Sequence, residues 1–347
     1  MSLIDLPPEL TARVISYLAL LETPNTPYVP PKPRLSQYAC TSLSLQHTIE
    51  RHLFSHLSLK SNDLLAFEVI VVRSTRRRAL LRSLCFQPVL PAHNIHACAQ
   101  FEKPSDQQAN DEAFTTTLKH LYAILHACDE VEGGKPLQLH LKTPFAPSDD
   151  SHSVWDKAES RRRYWDSDNR QAVWKHRYEH SYLRYDEQME LAASNRITTF
   201  SISDDGPRYV APASAFALLK CHNNLDSLGL DFHDNERKSP NLRVQLRTQF
   251  ARCLRDMRCS TLTDLCLSYR YEEPNDQRFA NADVRDSHGG STQDTLNASL
   301  HGLLVACRKL KRINLDGPIC IDEHLFWIDD LKTAEPLWPD LAMYTYA

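Results

Sequence analysis

The chain has 347 residues, which is enough for two domains or for one extended architecture of stacked units. Its hydrophobic fraction of 42% and charged fraction of 24% match those of globular proteins, which excludes wholesale disorder and a collagen-like chain. The formal net charge of -4 gives no reason to expect nucleic acid as a partner. No apolar run approaches the roughly 20 residues that span a bilayer, and the first residues lack the pattern of a secretory signal. We therefore expect no membrane partner and a cytoplasmic or nuclear location.

Glycine and cysteine are used in ways that argue against the commonest enzyme classes. The eight glycines form no G-x-G-x-x-G, no G-x-x-x-x-G-K-S/T and no G-x-S-x-G motif, so the main signals of nucleotide binding and of α/β-hydrolases are missing. The ten cysteines contain no C-x-x-C pair, and in an intracellular chain we interpret them as free thiols. The sequence predicts a protein that is not an enzyme and that holds no cofactor.

Two short patterns resemble metal-ligand spacings. His93, His96 and Cys98 lie close together, but no second ligand pair follows at the spacing of a zinc finger. Residues 176–180 read H-x-x-E-H, which is the inverted zincin pattern. In a chain with 16 histidines we interpret this match as coincidence, and the sequence predicts no metal site.

The N-terminal part predicts a small helical module. Apolar residues recur there at three- to four-residue steps on one helical face; they are Leu6, Leu10, Val14, Ile15, Leu18 and Leu21. Five prolines between Thr23 and Pro33 predict an extended, Pro-rich loop over 23–33. A second helix is predicted over 36–54, so that residues 1–56 form one helical unit.

After this module a strand-like phrase recurs, with apolar residues at positions i, i+3 and i+5. It begins at Phe54, Leu81, Ile197, Leu225, Leu262 and Leu310, and a related alternating strand covers 137–141. Helical patterns lie between the phrases, around 114–125, 246–257 and 296–304. A phrase L-x-x-L-x-L followed by a helix is the pattern of leucine-rich repeats, in which parallel strands stack side by side.

We therefore predict an α/β fold in which the helical module at 1–56 precedes an irregular leucine-rich-repeat-like α/β solenoid over 57–347. A long insertion is predicted near 144–184. The alternative is an ordinary α/β domain whose buried strands are rich in leucine. The uneven spacing of the phrases makes the predicted array irregular.

Two clusters of basic residues have competing interpretations. The insertion interleaves Trp155, Trp165 and Trp174 with arginines 161–163, a combination that single-stranded nucleic acid could stack on. Acidic residues are mixed in, and we prefer a loop that contacts a protein partner. Arginines 73, 76, 77, 78 and 82 could address a nuclear importer, but a solvated surface between helix and strand is the preferred interpretation.

The N-terminal residues resemble the F-box, a motif that docks substrate receptors onto the Skp-type adaptor of cullin-RING ubiquitin ligases. The phrase Leu6-Pro7-Pro8-Glu9-Leu10, followed by Val14-Ile15 and Tyr17-Leu18, carries the resemblance, and residues 39–42, 46, 49–51 and 54 fit its second helical part. Leu45 stands where the family usually has a bulky aromatic residue. The resemblance implies that the adaptor-binding residues are Leu6, Pro7, Pro8, Glu9, Leu10, Val14, Ile15, Leu18, Ile49 and Phe54.

The rest of the chain resembles F-box proteins of filamentous fungi, whose C-terminal parts are irregular leucine-rich folds. The matching phrases include 74–91, 247–254, 325–327 and 336–341. The resemblance implies a substrate-recruiting adaptor of an SCF-type ubiquitin ligase, with a Skp-type adaptor at one end and an unknown protein substrate at the other. The alternative is a leucine-rich-repeat-like interaction scaffold without ligase association, which Leu45 and the proline loop make conceivable.

The C-terminal residues predict a cap on the last strand of the array. Leu325-Phe326-Trp327 and Trp338-Pro339-x-Leu341 are more apolar than a free tail in water. We expect them to pack beside the strand over 310–315. Residues 343–347 read as a further strand.

Overall fold

The computed structural model describes most of the chain in a series of segments. These are residues 10, 13–15, 17, 35–40, 42–94, 97, 100–129, 135–149, 177–178, 181–186, 188–203, 208–234, 240–257, 260–271, 294–316 and 341–346. The N-terminal F-box phrase Leu6-Pro7-Pro8-Glu9 and Leu18 lie outside these segments, as do most of the predicted insertion and the aromatic residues at 326, 327 and 338.

Helices lie between most of the successive strands in the described segments. The helices are α1 Leu35–Tyr38, α2 Leu43–Leu53, α3 Leu64–Phe67, α4 Thr75–Leu80, α5 Pro104–Asp129, α6 Pro212–Leu219, α7 Pro240–Asp256 and α8 Thr295–Ala306. The strands are β1 His56–Lys60, β2 Ser83–Gln87, β3 Leu137–Leu141, β4 Ile197–Ile202, β5 Ser227–Asp234, β6 Asp264–Tyr271, β7 Arg312–Asp316 and β8 Met343–Tyr346. Residues 10, 13–15 and 17 are also helical. The predicted α/β class is confirmed.

The eight strands form one parallel sheet in which the spatial order follows the order along the chain, from β1 to β8. The i+3 and i+5 positions of the strand phrase are in register across the sheet. One ladder runs through Leu57, Leu84, Leu139, Phe200, Leu228, Leu265 and Ile313, and the other through Leu59, Phe86, Leu141, Ile202, Leu230, Leu267 and Leu315. Because alternate residues of a strand point to the same face, both ladders lie on one face. The strands predicted from the phrase are confirmed.

The core lies between these ladders and the long helices. Leu118 and Leu125 of α5, Phe250 of α7 and Leu300 of α8 are buried in the same cluster as the ladder residues. Phe250 stacks on the ring of Tyr269 with centroids 5.5 Å apart. Each of these helices returns the chain to the starting edge of the sheet, which the parallel order of the strands requires.

The second N-terminal helix differs from its prediction. A single helix was expected over 36–54, but the structure has two helices there, one that ends at Tyr38 and one that begins at Leu43. Ser42 has an extended backbone, and its side chain accepts a hydrogen bond from the N–H of Leu45. This is the geometry of a helix N-cap, so the serine begins a new helix, α2, within the expected one.

The helical module has a small core of its own. Ile15, Leu45 and Ile49 form a buried cluster with the half-buried Ala39 and Leu53, separate from the main core. The predicted boundary at residue 56 coincides with the first residue of β1. Phe54, by contrast, packs against the main core.

The chain's last described strand is the edge of the sheet. β8 pairs with β7 in parallel, and Leu341 packs against the main core just before it. The expected strand over 343–347 is therefore present at 343–346. In the described segments, no helix combines the length and the apolar character needed to cross a lipid bilayer.

Candidate protein-interaction surfaces

The residues expected to bind an adaptor are placed in three different environments. Leu10 is 46% exposed and Val14 is half-buried. Ile15 and Ile49 are buried in the small core of the module, where each packs against the other helix. Leu6, Pro7, Pro8, Glu9 and Leu18 lie outside the described residues. Of the expected contact residues that are described, Leu10 is therefore the one with the largest accessible apolar surface.

A buried carboxylate joins the module to the rest of the protein. Glu50 of α2 accepts hydrogen bonds from Arg77, at 2.8 Å, and from Arg76, both on α4, and from Gln46 at 3.1 Å. Burial alone would raise the pKa of the Glu50 carboxyl, but the bonds from Arg77 and Gln46 and the charges of both arginines outweigh burial and lower it. The guanidinium of Arg77 also lies 5.0 Å from the centre of the Phe54 ring.

These contacts change the interpretation of the basic cluster at 73–82. Two of its arginines are bound to Glu50, and Arg73 forms a longer ion pair of 3.6 Å with Glu68. A nuclear importer requires accessible basic side chains, whereas Arg77 is half-buried and paired. The position of the cluster between α3 and β2 agrees with the interpretation as a surface between helix and strand.

The second face of the sheet carries small and polar side chains. We call this surface the open face, and its central row consists of Ser58, Cys85, His140, Ser201, Gly229, Cys266 and Asn314. These residues are exposed or half-buried, unlike the ladders on the opposite face. A Cβ atom added to Gly229 would lie 3.2 Å from that of Ser201, so a small residue is favoured there. A polar, accessible surface of several strands suits contact with an extended protein segment.

His140 and Ser201 form a hydrogen-bonded pair at the centre of the open face. Their Nδ1 and Oγ atoms are 2.6 Å apart, and partial burial lowers the pKa of His140. Nucleophilic catalysis needs a third group to orient the imidazole and donors for the developing oxyanion. Among the described hydrogen bonds, none joins His140 to a carboxylate. The geometry favours a neutral imidazole that presents hydrogen-bonding groups to a ligand.

The loops that follow β2, β3 and β4 are joined by a buried polar cluster, which we call the carboxyl-edge network. It contains His93, Glu102, Asp149, Arg177, Tyr178, Ser181 and Arg208. The Nε2 atom of His93 lies 2.8 Å from Asp149, and the hydroxyl of Tyr178 donates to both Asp149 oxygens at 3.0 Å. Burial, and then the Asp149 charge, raise the pKa of Tyr178. The tyrosine therefore acts as a neutral donor.

Arginines complete the carboxyl-edge network. Arg208 is fully buried and forms hydrogen bonds of 2.6 Å with Glu102 and Ser181. Its guanidinium carbon lies 4.8 Å from the centre of the Tyr178 ring. Arg177 bonds to Asp106 at 3.0 Å and to the carbonyl of Ala97. Because a buried charge is stable only when paired, these contacts hold Arg177 and Ser181 against Ala97 and Glu102 of the loop after β2 and Asp106 of α5.

The carboxyl-edge network brings the two ends of the long insertion together. Asp149 lies at its beginning and Tyr178 near its end, and the two are hydrogen-bonded. Residues 150–176, which include the three tryptophans, lie outside the described residues. The insertion therefore leaves and re-enters the fold at one place, beside the carboxyl ends of the strands.

The structure also bears on the two metal-like patterns. His93 pairs with Asp149 and Tyr178, while His96, Cys98 and residues 176, 179 and 180 lie outside the described segments. Within the described segments, no group of three or more histidine, cysteine or acidic side chains could hold a metal ion. The described cysteines are free thiols.

A cleft beside α5 contains an acidic group with a shifted pKa. The cleft has a volume of about 510 Å³, and its lining includes Asp111, Glu112, Arg184 and Asp186. Burial raises the pKa of Asp111, although the N–H of Arg184 donates to it at 2.8 Å and lowers it in part. The mixed charge of the lining suits a polar segment of a partner rather than an apolar ligand.

Comparison with known proteins assigns no relationship. No protein-family model matches the chain, and no curated protein matches it. The function is therefore argued from the sequence pattern and from the surfaces described above.

Proposed function

We propose that this protein is a substrate-recruiting adaptor of an SCF-type cullin-RING ubiquitin ligase. In this proposal the N-terminal module is an F-box of the filamentous-fungal type that binds the Skp-type adaptor, and the α/β region binds a protein substrate. The observation that carries the proposal is the F-box phrase at residues 6–18 leading into a helical module with its own small core. Ubiquitin transfer takes place on other ligase subunits, so this chain needs no catalytic group.

We also propose that residues 57–347 form an irregular leucine-rich-repeat-like solenoid. The strand order follows the chain order, and the apolar positions of successive phrases are in register. A stack in which each strand contacts only its neighbours is the arrangement that such repeats adopt. The leading residue of the phrase is also buried, just before four of the strands at Leu81, Leu225, Leu262 and Leu310, and as the first residue of β4 at Ile197.

The substrate surface in this proposal is the open face together with the carboxyl edge. The open face offers a row of small polar groups, centred on His140 and Ser201. The described ends of the insertion, Asp149 and Tyr178, are joined in the carboxyl-edge network beside the loops that follow β2, β3 and β4. A loop fixed at both ends loses less conformational freedom when it binds a partner.

The test is binding of the full chain to the Skp-type adaptor, measured by calorimetry or by co-precipitation. We expect Leu6→Ala with Leu10→Ala to weaken binding by about 2–4 kcal/mol, because central apolar anchors of an interface contribute on this scale. Val244→Ala removes an exposed apolar side chain on α7 and is the matched control, for which we expect unchanged binding.

A variant in the core of the helical module distinguishes a loss of adaptor contact from a loss of folding. Ile49→Ala leaves a cavity in the cluster with Ile15 and Leu45, and we expect a loss of about 2–5 kcal/mol in stability. The double variant at Leu6 and Leu10 should retain the melting temperature of the α/β region. Wild-type adaptor binding by the double variant would refute the F-box assignment.

The second candidate is an interaction scaffold without ligase association. The burial of Ile15 and Ile49 in the module itself favours it, because these side chains then have little surface left for an adaptor. If the purified chain shows no saturable binding to the adaptor, the scaffold function replaces the ligase function. Cross-linking mapped to the open face would then identify the surface in use.

A further inference from the structure

A concave pocket lined by basic residues lies between the helical module and the amino ends of the first three strands. Its volume is about 640 Å³, within the range of small-molecule sites. We call it the cationic pocket, and its described lining consists of Ile15, Thr48, Arg51, His52, Ser55, His56, Leu80, Arg82 and Lys135. It is distinct from the open face and from the carboxyl-edge network, which lies at the other ends of the strands.

Consecutive units of the fold each contribute one basic side chain to this pocket. His56 is the first residue of β1, Arg82 directly precedes β2, and Lys135 lies two residues before β3. The N–H groups of Arg82 and Ser83 both donate to the carbonyl of Ser55, which fixes these segments beside one another. Arg51 adds a further guanidinium from the last turn of α2.

The cations of the pocket are not neutralised by carboxylates of the described segments. Arg51, Arg82 and Lys135 have exposed side chains, and none of the described ion pairs includes them. The nearby Arg76 and Arg77 differ, because both are bound to Glu50. Three positive charges that line one concave space, with no counter-charge among the described residues, repel each other, and a bound anion would relieve this repulsion.

The pocket also contains hydroxyl and imidazole groups. Thr48 and Ser55 line it with hydroxyl groups, and His52 and His56 with imidazoles. The hydroxyls of Ser55 and Thr48 donate to the carbonyls of His52, at 2.9 Å, and Ser44, at 3.1 Å, so they satisfy acceptors of α2 and the imidazoles are the further groups that can contact an anion. Guanidinium groups match the oxygen geometry of phosphate in a bidentate manner.

We propose that the cationic pocket binds an anion that carries two or more phosphate groups. Arg51, Arg82 and Lys135 supply the charge, and the imidazoles of His52 and His56 add hydrogen-bonding groups to the lining. Because α2 contributes to the lining together with the turns before β1, β2 and β3, the ligand contacts the module and the sheet at once. Its binding therefore stabilises their relative position.

The experiment uses the full chain with inorganic phosphate, pyrophosphate and tripolyphosphate as probes, titrated by calorimetry at constant ionic strength. We expect affinity to rise with the number of phosphate groups and the melting temperature to rise with tripolyphosphate. Vesicles of phosphatidylcholine with and without phosphatidylinositol 4,5-bisphosphate form the second arm. Binding to the probes in solution alone identifies a soluble ligand, and binding to the charged vesicles identifies a lipid headgroup.

Charge-reversal variants distinguish binding at the cationic pocket from general attraction of anions by the protein's charge. Arg82→Glu with Lys135→Glu should weaken tripolyphosphate binding by at least about tenfold. The control is Lys142→Glu with Lys220→Glu, which changes the net charge equally but at exposed positions outside the pocket, and it should bind as the wild type does. Arg51→Gln is a milder variant whose loss of affinity is measured at an unchanged melting temperature.

Two results would overturn the proposal. One is equal loss of binding in the pocket variant and in the control variant, which shows attraction by overall charge alone. The other is the absence of saturable binding to the inorganic probes and to the charged vesicles. Neither result bears on adaptor binding, which is measured separately.

Discussion

His222 is a titratable residue enclosed by aromatic side chains. Its Nε2 atom lies 3.0 Å from the hydroxyl of Tyr122, and its ring centre lies 4.9 Å from that of Phe200. Burial lowers the pKa of His222 from 6.5 to about 3, because a charged imidazole would lose its hydration there. The histidine is therefore neutral in the folded protein at physiological pH.

This setting predicts a pH dependence of stability. Between about pH 6.5 and pH 3 the unfolded chain protonates His222 and the folded chain does not, so the unfolded state binds more protons and stability falls as the pH falls. The free energy of unfolding should decline by about 1.4 kcal/mol for each pH unit from this residue. His222→Gln cannot titrate, and urea unfolding of the two proteins at several pH values measures the difference.

The control for this prediction is His126→Gln. His126 is exposed, with its Nδ1 atom 2.8 Å from the carbonyl of Ala193. This variant measures what the same substitution does at an exposed histidine, and the pH dependence of the His222→Gln difference is compared with it. If the difference in the free energy of unfolding between His222→Gln and the wild type stays constant from pH 7 to pH 4, the buried, neutral state of His222 is contradicted.

Buried polar residues were the least predictable part of the sequence. Arg177 and Arg208 are among the most deeply buried large side chains, yet arginine is typically exposed. Their burial depends on Asp106 and Glu102, about 70 and 106 positions away along the chain. No local pattern encodes a partner at that distance, so pairing of this kind is visible only in the structure.

At the scale of elements, Asp294 has two roles at the beginning of α8. It caps the helix by accepting the N–H of Asn297, and it forms a buried ion pair of 2.5 Å with Arg247 of α7. Asp294→Asn keeps the cap but leaves Arg247 buried without a counter-charge, which should cost about 3–5 kcal/mol. Asp294→Ala also loses the cap, at a further cost of about 1 kcal/mol. Urea unfolding measures both losses.

An exposed ion pair provides the matched control. Asp256 pairs with Arg255 at 3.7 Å, and both side chains are largely in solvent. We expect Asp256→Asn to change the stability by no more than about 1 kcal/mol. Equal losses of stability in Asp256→Asn and Asp294→Asn would show that the buried ion pair between Arg247 and Asp294 contributes no more to stability than an exposed one.

Elements with a one-sided apolar pattern were predicted, and elements without one were missed. The strands β1–β7 were found because the i+3 and i+5 residues share a buried face. Helix α6, Pro212–Leu219, was missed because it is apolar almost all round and buried on most sides, so it shows no stripe. The π-helical turn at Glu68–Val72 was missed because its run of β-branched residues is typical of a strand.

At the scale of the whole molecule, β8 and the preceding Leu341 cover β7 and the adjoining part of the main core. A chain that ends at residue 340 lacks both, so β7 becomes the edge strand and the buried residues Ile313 and Leu315 lose a neighbouring strand. Apolar edge strands promote association between chains, so we expect aggregation, seen by light scattering, and a lower melting temperature. A chain that ends at Tyr346 loses a single residue and serves as the control. A 340-residue chain that stays monomeric and melts with the full chain would refute this protective role.

The sequence pattern did not predict the surfaces that are assembled from several segments of the chain. The cationic pocket combines α2 with the turns before three strands. None of these segments has a sequence pattern that by itself indicates a binding site. The small residues of the open face are likewise spread over 256 positions, from Ser58 to Asn314. The sequence indicated that a broad surface exists, but the composition of that surface depends on the register between strands.

Along each strand, residues that pack in the core alternate with residues that face outward on the open face. In β2, Leu84 and Phe86 are buried and belong to the ladders, while Cys85 between them faces outward. The same alternation holds in β5, where Gly229 separates Leu228 from Leu230. In the proposed function the outward positions belong to the substrate surface, so substitutions there would alter recognition while the apolar residues that determine folding stay the same. Under that proposal, divergence or engineered libraries confined to the outward row would change the partner without redesign of the core.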